Sequence, residues 1–259
     1  MSDKVNAGEP AFGEADLTNC DREQIHIPGS IQMLGADKDS IIGETLDTIV
    51  GAQAAHAVRN AAAKSVAPSV PGLVFGQAVA GSAKLFDVAV HAYLGRTFIE
   101  LQEAATAADG YGPLEMTRAL VRRLADEKSV PKLAVSAARM VQLMIGYDRV
   151  MIYKLLHNGA GRVIAEQKRA DLGSFLNQHF PASDIPVQAR ELYKRNWIRM
   201  ISDVRYTPQQ ILPPIKTSEP PLDMSYAQLR SVSPVHCEYL QNMGVDASMS
   251  ISIMVEGEL

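Results

Sequence analysis

The stretch Phe180–Tyr193, FPASDIPVQARELY, decides how the rest of the chain is read. A short apolar–polar run breaks at Pro181. Ser183 and Asp184 then stand at the start of a helix expected over about Ile185–Lys194, with Pro186 inside its first turn. A serine or aspartate there accepts from backbone N–H groups that have no intrahelical partner, and proline is tolerated because it lacks one such N–H. One spot thus gathers a carboxylate, bare N–H groups and a prolyl corner. That is a place to meet a polar ring; equally, it is a helix cap with no further task.

Composition bounds the answer. A chain of 259 residues suits one large domain or two ordinary ones, and 47% hydrophobic residues are enough for buried cores. A net charge of −4 with scattered basic residues argues against a nucleic-acid partner, which selects a basic face. No apolar run approaches the roughly 20 residues that span a bilayer, and the polar N-terminus has no signal-peptide core, so no membrane partner is expected. Two cysteines, Cys20 and Cys237, are too few for a disulfide framework and fit a reducing cytoplasm; a single bridge between them stays open. No Cys–His cluster has metal-ligand spacing, so no metal is expected.

Outward from the central stretch, Ala36–Lys64 is helical in tone and punctuated by Gly43 and Gly51, with an alanine-rich second half. Ser65–Ala83, bearing Pro68, Pro71 and several glycines, reads as loose. Lys84–Leu101 alternates about a turn at Gly95 and reads as an antiparallel hairpin. Ala104–Gly112 is the natural boundary. Pro113 opens a helix with Met116, Leu120, Val121 and Leu124 on one face. A second spans about Pro131–Ile145, with Leu133, Ala137, Met140, Val141 and Met144 inward and Gly146 as its stop. These two helices serve either packing on their own sheet or a homodimer bundle. Arg149–Leu156 and Arg162–Gln167 read as strands about a turn at His157–Gly161, and Trp197–Asp203 as another. Tyr206–Leu222, with five prolines, is a long surface excursion. Ser233-Pro234 starts a helix that Gly244 stops. Ala247–Val255 alternates, with Ser248, Ser250 and Ser252 on one side; a serine-lined strand is a polar ligand wall or a wet surface.

Three stretches together carry a resemblance: DLTNCDREQIHIPGSIQ at Asp16–Gln32, the FPASDIPVQARELY stretch, and LRSVSPVHCEYLQNMG at Leu229–Gly244. In this order they resemble the chromophore-binding domains of bacterial phytochromes, red-light receptors that bind biliverdin. The resemblance implies an α+β chain: an N-terminal segment over 1–32, a PAS-like domain over 33–108 and a GAF domain over 109–259. Antiparallel sheets would carry helices packed on them, and the N-terminal segment would thread a GAF loop in a figure-of-eight knot. It also implies residues missing at the join of Gln32 and Met33, since Met33–Ser40 resembles a stretch much further along the PAS domain, and a further strand and long helix after Leu259.

Mapped position by position, the resemblance makes Cys20 the thiol that attaches biliverdin as a thioether. By its neighbours alone Cys20 is ambiguous, since Arg22 favours a thiolate while Asp21 and Glu23 oppose it. Asp184 becomes the pocket aspartate near the pyrrole N–H groups, with Ile185 and Pro186 on the ring faces. Arg199 and Arg230 become the propionate-binding arginines, a role that suits the guanidinium fork. His236 becomes the pocket histidine, poised for proton exchange. Ser233, Ser248 and Ser250 become propionate and water contacts, while Tyr153, Phe180 and Tyr193 surround the D ring. Cys237 is by default a small packed hydrophobe, or else a second thiol near the A ring. Without the resemblance each arginine reads as a surface residue, and His236 as a helix-face residue.

No catalytic constellation, Walker loop, dinucleotide fingerprint or kinase ATP motif is present. The resemblance implies signalling through a C-terminal output, commonly a histidine kinase with a response regulator as partner; the two amphipathic helices point to a homodimer. The alternatives are a non-photochemical GAF/PAS ligand sensor, a near-infrared fluorescent relative and a pure dimerisation module.

Overall fold

The computed structural model describes residues 30–31, 41–104, 113–214 and 218–259; Cys20 and the join at Gln32–Met33 lie outside them. In chain order the elements are β1 (Ser30–Ile31), α1 (Leu46–Val50), α2 (Ala52–Lys64), β2 (Gly72–Ala78), β3 (Leu85–Tyr93) and β4 (Arg96–Glu103). Then come α3 (Pro113–Ala125), α4 (Val130–Ile145), β5 (Arg149–Leu155), β6 (Gly161–Lys168) and β7 (His179–Phe180). A 3-10 turn at Ala182–Asp184 precedes α5 (Val187–Arg195), β8 (Ile198–Ile201), β9 (Gln209–Gln210), α6 (Pro234–Asn242) and β10 (Ser248–Ile251). The chain forms two compact units: the described residues within Met1–Ala105 and Val187–Leu259, and those within Thr106–Pro186.

In the first unit Gly51, at φ +87°, splits the helical run into α1 and α2. The alanine-rich α2 lies on one face of the antiparallel sheet β2-β3-β4. Val58 and Ala61 of the helix meet Val88 and Val90 of β3 there, with Phe86, Ile99 and Leu101 around them. The approach is close: a Cβ on Gly72 would stand 2.1 Å from the Ala61 carbonyl oxygen. The stretch that reads as loose therefore contains a strand. Its glycines hide the alternation, and a bulge between Val74 and Gln77, with Gly76 at φ +61°, breaks its period. Pairing with β3 supplies what local propensity does not.

The other face of this sheet is covered by the chain that follows the proline-rich excursion. His91 stacks on its cross-strand partner Phe98 at 4.7 Å, and Tyr93 meets Tyr226 edge-on at 4.8 Å. Neither ring nitrogen of the buried His91 has a hydrogen-bond partner among the described residues, and burial pushes its pKa down. Elsewhere in this unit β8 and β10 pair antiparallel, and Ile201, Val204 and Leu240 form a small core with Val232, Tyr239 and Val245. The strand β1 pairs antiparallel with β9, tying the N-terminal segment to the excursion.

In the second unit α4 ends at Gly146 in the left-handed conformation. It packs on β5 and β6 through Ala134 and Ala138, which meet Ala165, Val150 and Ile152. The inward face is thus turned from the expected one: Leu133 is exposed, while Met140, Val141 and Met144 are half-buried. Small alanines let the helix approach the sheet more closely than leucine allows. Val121, Val135, Leu143 and Ile145 of α3 and α4 are exposed.

The central stretch differs from expectation at one point. Its helix begins at Val187, so Pro186 precedes the helix rather than lying in its first turn. Proline disfavours helical backbone in the residue before it, and Ile185 is accordingly extended at φ −127°, ψ 90°. Ser183 and Asp184 form the separate 3-10 turn, where the Asp184 N–H donates to the Pro181 carbonyl at 3.1 Å.

Candidate functional site

In the first unit the β8–β10 pairing sets Arg199 directly opposite Ser250. The guanidinium donates to Ser250 Oγ at 2.7 Å, to Ser252 Oγ at 3.2 Å and to the Asn196 carbonyl at 2.5 Å. It also lies over the Tyr193 ring, 3.5 Å from the centroid. The serine side of β10 therefore has a definite role. Its hydroxyls hold an arginine fork while leaving the charge unneutralised, and Arg199 is in none of the ion pairs among the described residues. The Ser252 hydroxyl in turn donates to the Tyr193 carbonyl at 2.8 Å, locking the wall of the site.

Positive charge accumulates here. Burial and the nearby Arg230 push Arg199 down to about 10. Burial also lowers Arg230. His236, on α6, is lowered first by burial and then by the charges of Arg199 and Arg230, so its imidazole is held neutral more strongly than in water. Ser233 occupies the N-cap position of α6, and the next turn carries His236 and Cys237. Cys237 is buried, and burial pushes its thiol up, away from the reactive thiolate. Two guanidinium groups, a neutral imidazole and hydroxyls form a donor set that suits an anion, and a bidentate carboxylate above others. No group of three or more His, Cys, Asp or Glu among the described residues could hold a metal.

In the second unit Tyr153 and Phe180 face each other at 5.9 Å, and Phe175 meets Phe180 edge-on at 6.1 Å. Arg149 lies over Phe175 at 4.1 Å and pairs with Glu166 at 3.0 Å. Burial works against the Glu166 carboxylate, but hydrogen bonds from the Ser174 hydroxyl and the Phe175 N–H, with the charge of Arg149, hold it below the usual range. The aromatic wall thus rests on a half-buried ion pair. Asp184, Ile185 and Pro186 are half-buried beside the 3-10 turn.

The structure therefore brings together Tyr193, Arg199, Ser250, Arg230 and His236 in the first unit, and Tyr153 with Phe180 in the second. Ser248 lies two pairs away along β10, opposite Ile201, and the Arg199 fork reaches Ser250 and Ser252 instead. Ser252 was visible in the alternation but not singled out. Tyr206, whose hydroxyl accepts from the Val232 N–H at 2.7 Å, carried no local signal, and neither did Glu166.

Comparison with known proteins bears on what such a site serves. A family described as PAS fold matches residues 31–104. The chain is 40% identical to the bacteriophytochrome of Pseudomonas aeruginosa over 94% of its own length, and 34% identical to cyanobacterial phytochrome B of Nostoc sp. over 95%. It spans 36% of the length of each of these relatives. Its fold matches the solved chromophore-binding domain of Stigmatella aurantiaca phytochrome P1 with a TM-score of 0.78 at 34% identity, covering 93% of this chain and 88% of that one. The chromophore-binding domain of an unusual bacteriophytochrome from R. palustris matches with a TM-score of 0.78 at 31% identity, covering 93% and 86%. The chain belongs to the bacteriophytochrome family, in the part where a PAS domain is followed by a GAF domain.

Proposed function

We propose that this chain senses red and far-red light through a bound bilin, with biliverdin as the pigment and Cys20 as its attachment thiol. The observation that carries the reading is the cluster of two guanidinium groups, Arg199 and Arg230, beside the neutral imidazole of His236 and lined by serine hydroxyls. A bilin has two propionate carboxylates and a hydrophobic ring system, and such a cluster offers the carboxylates fixed partners. When bound, the pigment supplies light absorption and the isomerisation of its D ring.

The chain's own residues supply the rest. Arg199, held by Ser250 and stacked on Tyr193, binds one carboxylate, and Arg230 the other, with Ser233 and Ser248 completing the contacts. His236, held toward its neutral form by burial and the two arginines, would hold or move a proton beside the carboxylates. Asp184 would meet the pyrrole N–H groups with Ile185 and Pro186 on the ring faces, and Tyr153, Phe180 and Tyr193 would bound the D ring. Cys20 would hold the pigment as a thioether, its S–H adding across a vinyl group of the pigment. The burial of Cys237 supports packing rather than reaction.

In this reading residues 1–32 bear the attachment cysteine, 33–108 form the PAS domain and 109–259 the GAF domain, and the N-terminal segment threads the GAF domain as a knot. The pairing of β1 with β9 supports that threading. Exposed apolar residues on α3 and α4 favour a homodimer, and the signal leaves through a histidine kinase to a response regulator in the cytoplasm.

The test is an absorption spectrum after incubation with biliverdin, read before and after red light. A red band that changes reversibly supports the reading. A band that is fixed and emissive replaces it with a fluorescent relative. Absence of a band, with another ligand bound, replaces it with a non-photochemical sensor. In the Cys20→Ala protein the pigment should no longer survive denaturation; undiminished covalent pigment would move the attachment to Cys237.

A further inference from the structure

Arg230 makes an isolated β-bridge at the end of a segment without regular secondary structure. Residues 221–229 belong to no helix or strand, so their N–H groups have no ladder to join. On the N-terminal side of Arg230, one oxygen of Glu100 accepts from the Gln228 N–H at 2.7 Å and the Leu229 N–H at 2.8 Å. Glu100 lies on β4, on the sheet face opposite α2, and Tyr93 of the same face holds Tyr226. On the C-terminal side the Tyr206 hydroxyl accepts from the Val232 N–H at 2.7 Å and donates to the Val232 carbonyl at 3.3 Å. Between the two clamps lie Arg230 and the fully buried Ser231.

We infer that Glu100 and Tyr206 are positioning residues for Arg230: they fix the backbone on either side of it and so fix where its guanidinium meets a carboxylate. The inference rests on the reading of Arg230 as a carboxylate-binding residue. Burying a carboxylate is unfavourable, and apolar packing would hold a loop without that penalty. What apolar packing cannot do is bind two successive N–H groups and set the direction of the chain at the next residue. A guanidinium fork recognises a carboxylate by direction as well as charge, and its value falls when the backbone beneath it moves. The PAS sheet thereby becomes a structural part of the anion site, acting from a strand more than a hundred residues away in the chain.

The test compares biliverdin with its dimethyl ester, which has the same rings and no carboxylates. Non-covalent affinity is measured in the Cys20→Ala background for Glu100→Leu, Glu100→Gln and Tyr206→Phe, together with amide hydrogen exchange at Gln228, Leu229 and Val232. Glu100→Leu should speed exchange at 228 and 229 and weaken biliverdin about tenfold, the scale of a hydrogen bond to a charged group, while the ester binds as before. Glu100→Gln, whose amide oxygen accepts the same two bonds, should stay within about twofold of the parent on the same scale. Adding Glu100→Leu to Arg230→Gln should weaken biliverdin no further. Equal losses for both pigments, or full additivity with Arg230→Gln, would overturn the inference. Should Glu100→Leu fail to fold, Tyr206→Phe asks the same question from the other clamp. If the parent protein binds neither pigment, the reading of Arg230 fails and the inference with it. If the parent binds biliverdin and the clamp variants bind it as tightly, the inference alone fails.

Discussion

The ring of Tyr153 occupies the space where a Cβ at position 161 would stand: three of its atoms lie within 2.0 Å of that point. Gly161 is buried on β6, hydrogen-bonded strand to strand with β7 at Phe180, so the aromatic pair Tyr153–Phe180 closes over a glycine. Gly161→Ala should push the Tyr153 ring off Phe180 and destabilise the second unit by about 1–3 kcal/mol, the usual range for overpacking. A urea midpoint reads the loss. Adding Tyr153→Ala to Gly161→Ala should recover part of it; a double variant as unstable as the sum of the two singles would show that the ring is not what the methyl meets.

Arg199→Lys keeps the charge and loses the fork. An ammonium group cannot reach Ser250 and Ser252 while lying flat on Tyr193. Biliverdin affinity should fall about tenfold, as expected when a charge-assisted bond is lost, with little change for the dimethyl ester. Equal affinity for biliverdin in the lysine variant would mean that only charge matters at this position.

His236 gives a pH dependence with a definite sign. Its folded-state pKa is lowered from 6.5, by burial first and then by Arg199 and Arg230. The unfolded chain therefore binds more protons as pH falls below about 6.5, and stability drops on the acid side of that point while it is unaffected above it. His91 is lowered as well and acts in the same direction, so the comparison must be between the parent and His236→Gln. The urea midpoint should fall less steeply from pH 7 to pH 5.5 in the variant. Carboxylates arriving beside His236 reverse the effect of the arginines, so biliverdin binding near neutral pH should take up a proton; calorimetry in buffers of different ionisation enthalpy measures this.

Gly72→Ala tests the contact between α2 and β2. The added methyl group would meet backbone, the Ala61 carbonyl, rather than a side chain that can turn away. A loss of about 1–3 kcal/mol is expected, read from the thermal midpoint. A neutral result would show that helix and strand can separate slightly without penalty.

Much of this fold is legible locally. Gly146 and Gly244 mark helix ends, Ser233-Pro234 marks a start, and the hairpin about Gly95 follows its alternation. The strand at Gly72–Ala78 is not, because glycines and a bulge erase its period and only pairing with β3 defines it. The helix α5 starts about two residues later than its cap signal suggests, since a proline shapes the residue before it more strongly. Of the candidate site, the serine strand is readable from its alternation, whereas Arg199 comes only from the resemblance and by itself reads as a surface residue. Glu100, Tyr206 and Gly161 were not: each acts on residues distant in sequence, and no spacing records such a contact.

The pairing of Ser30–Ile31 with Gln209–Gln210 has a consequence for how the protein is made. At about 5–20 residues per second, the ribosome needs on the order of ten to forty seconds to release the second strand after the first. Throughout that interval Ser30–Ile31 lacks its β9 partner, so this pairing can close only after the whole stretch between the two strands has emerged.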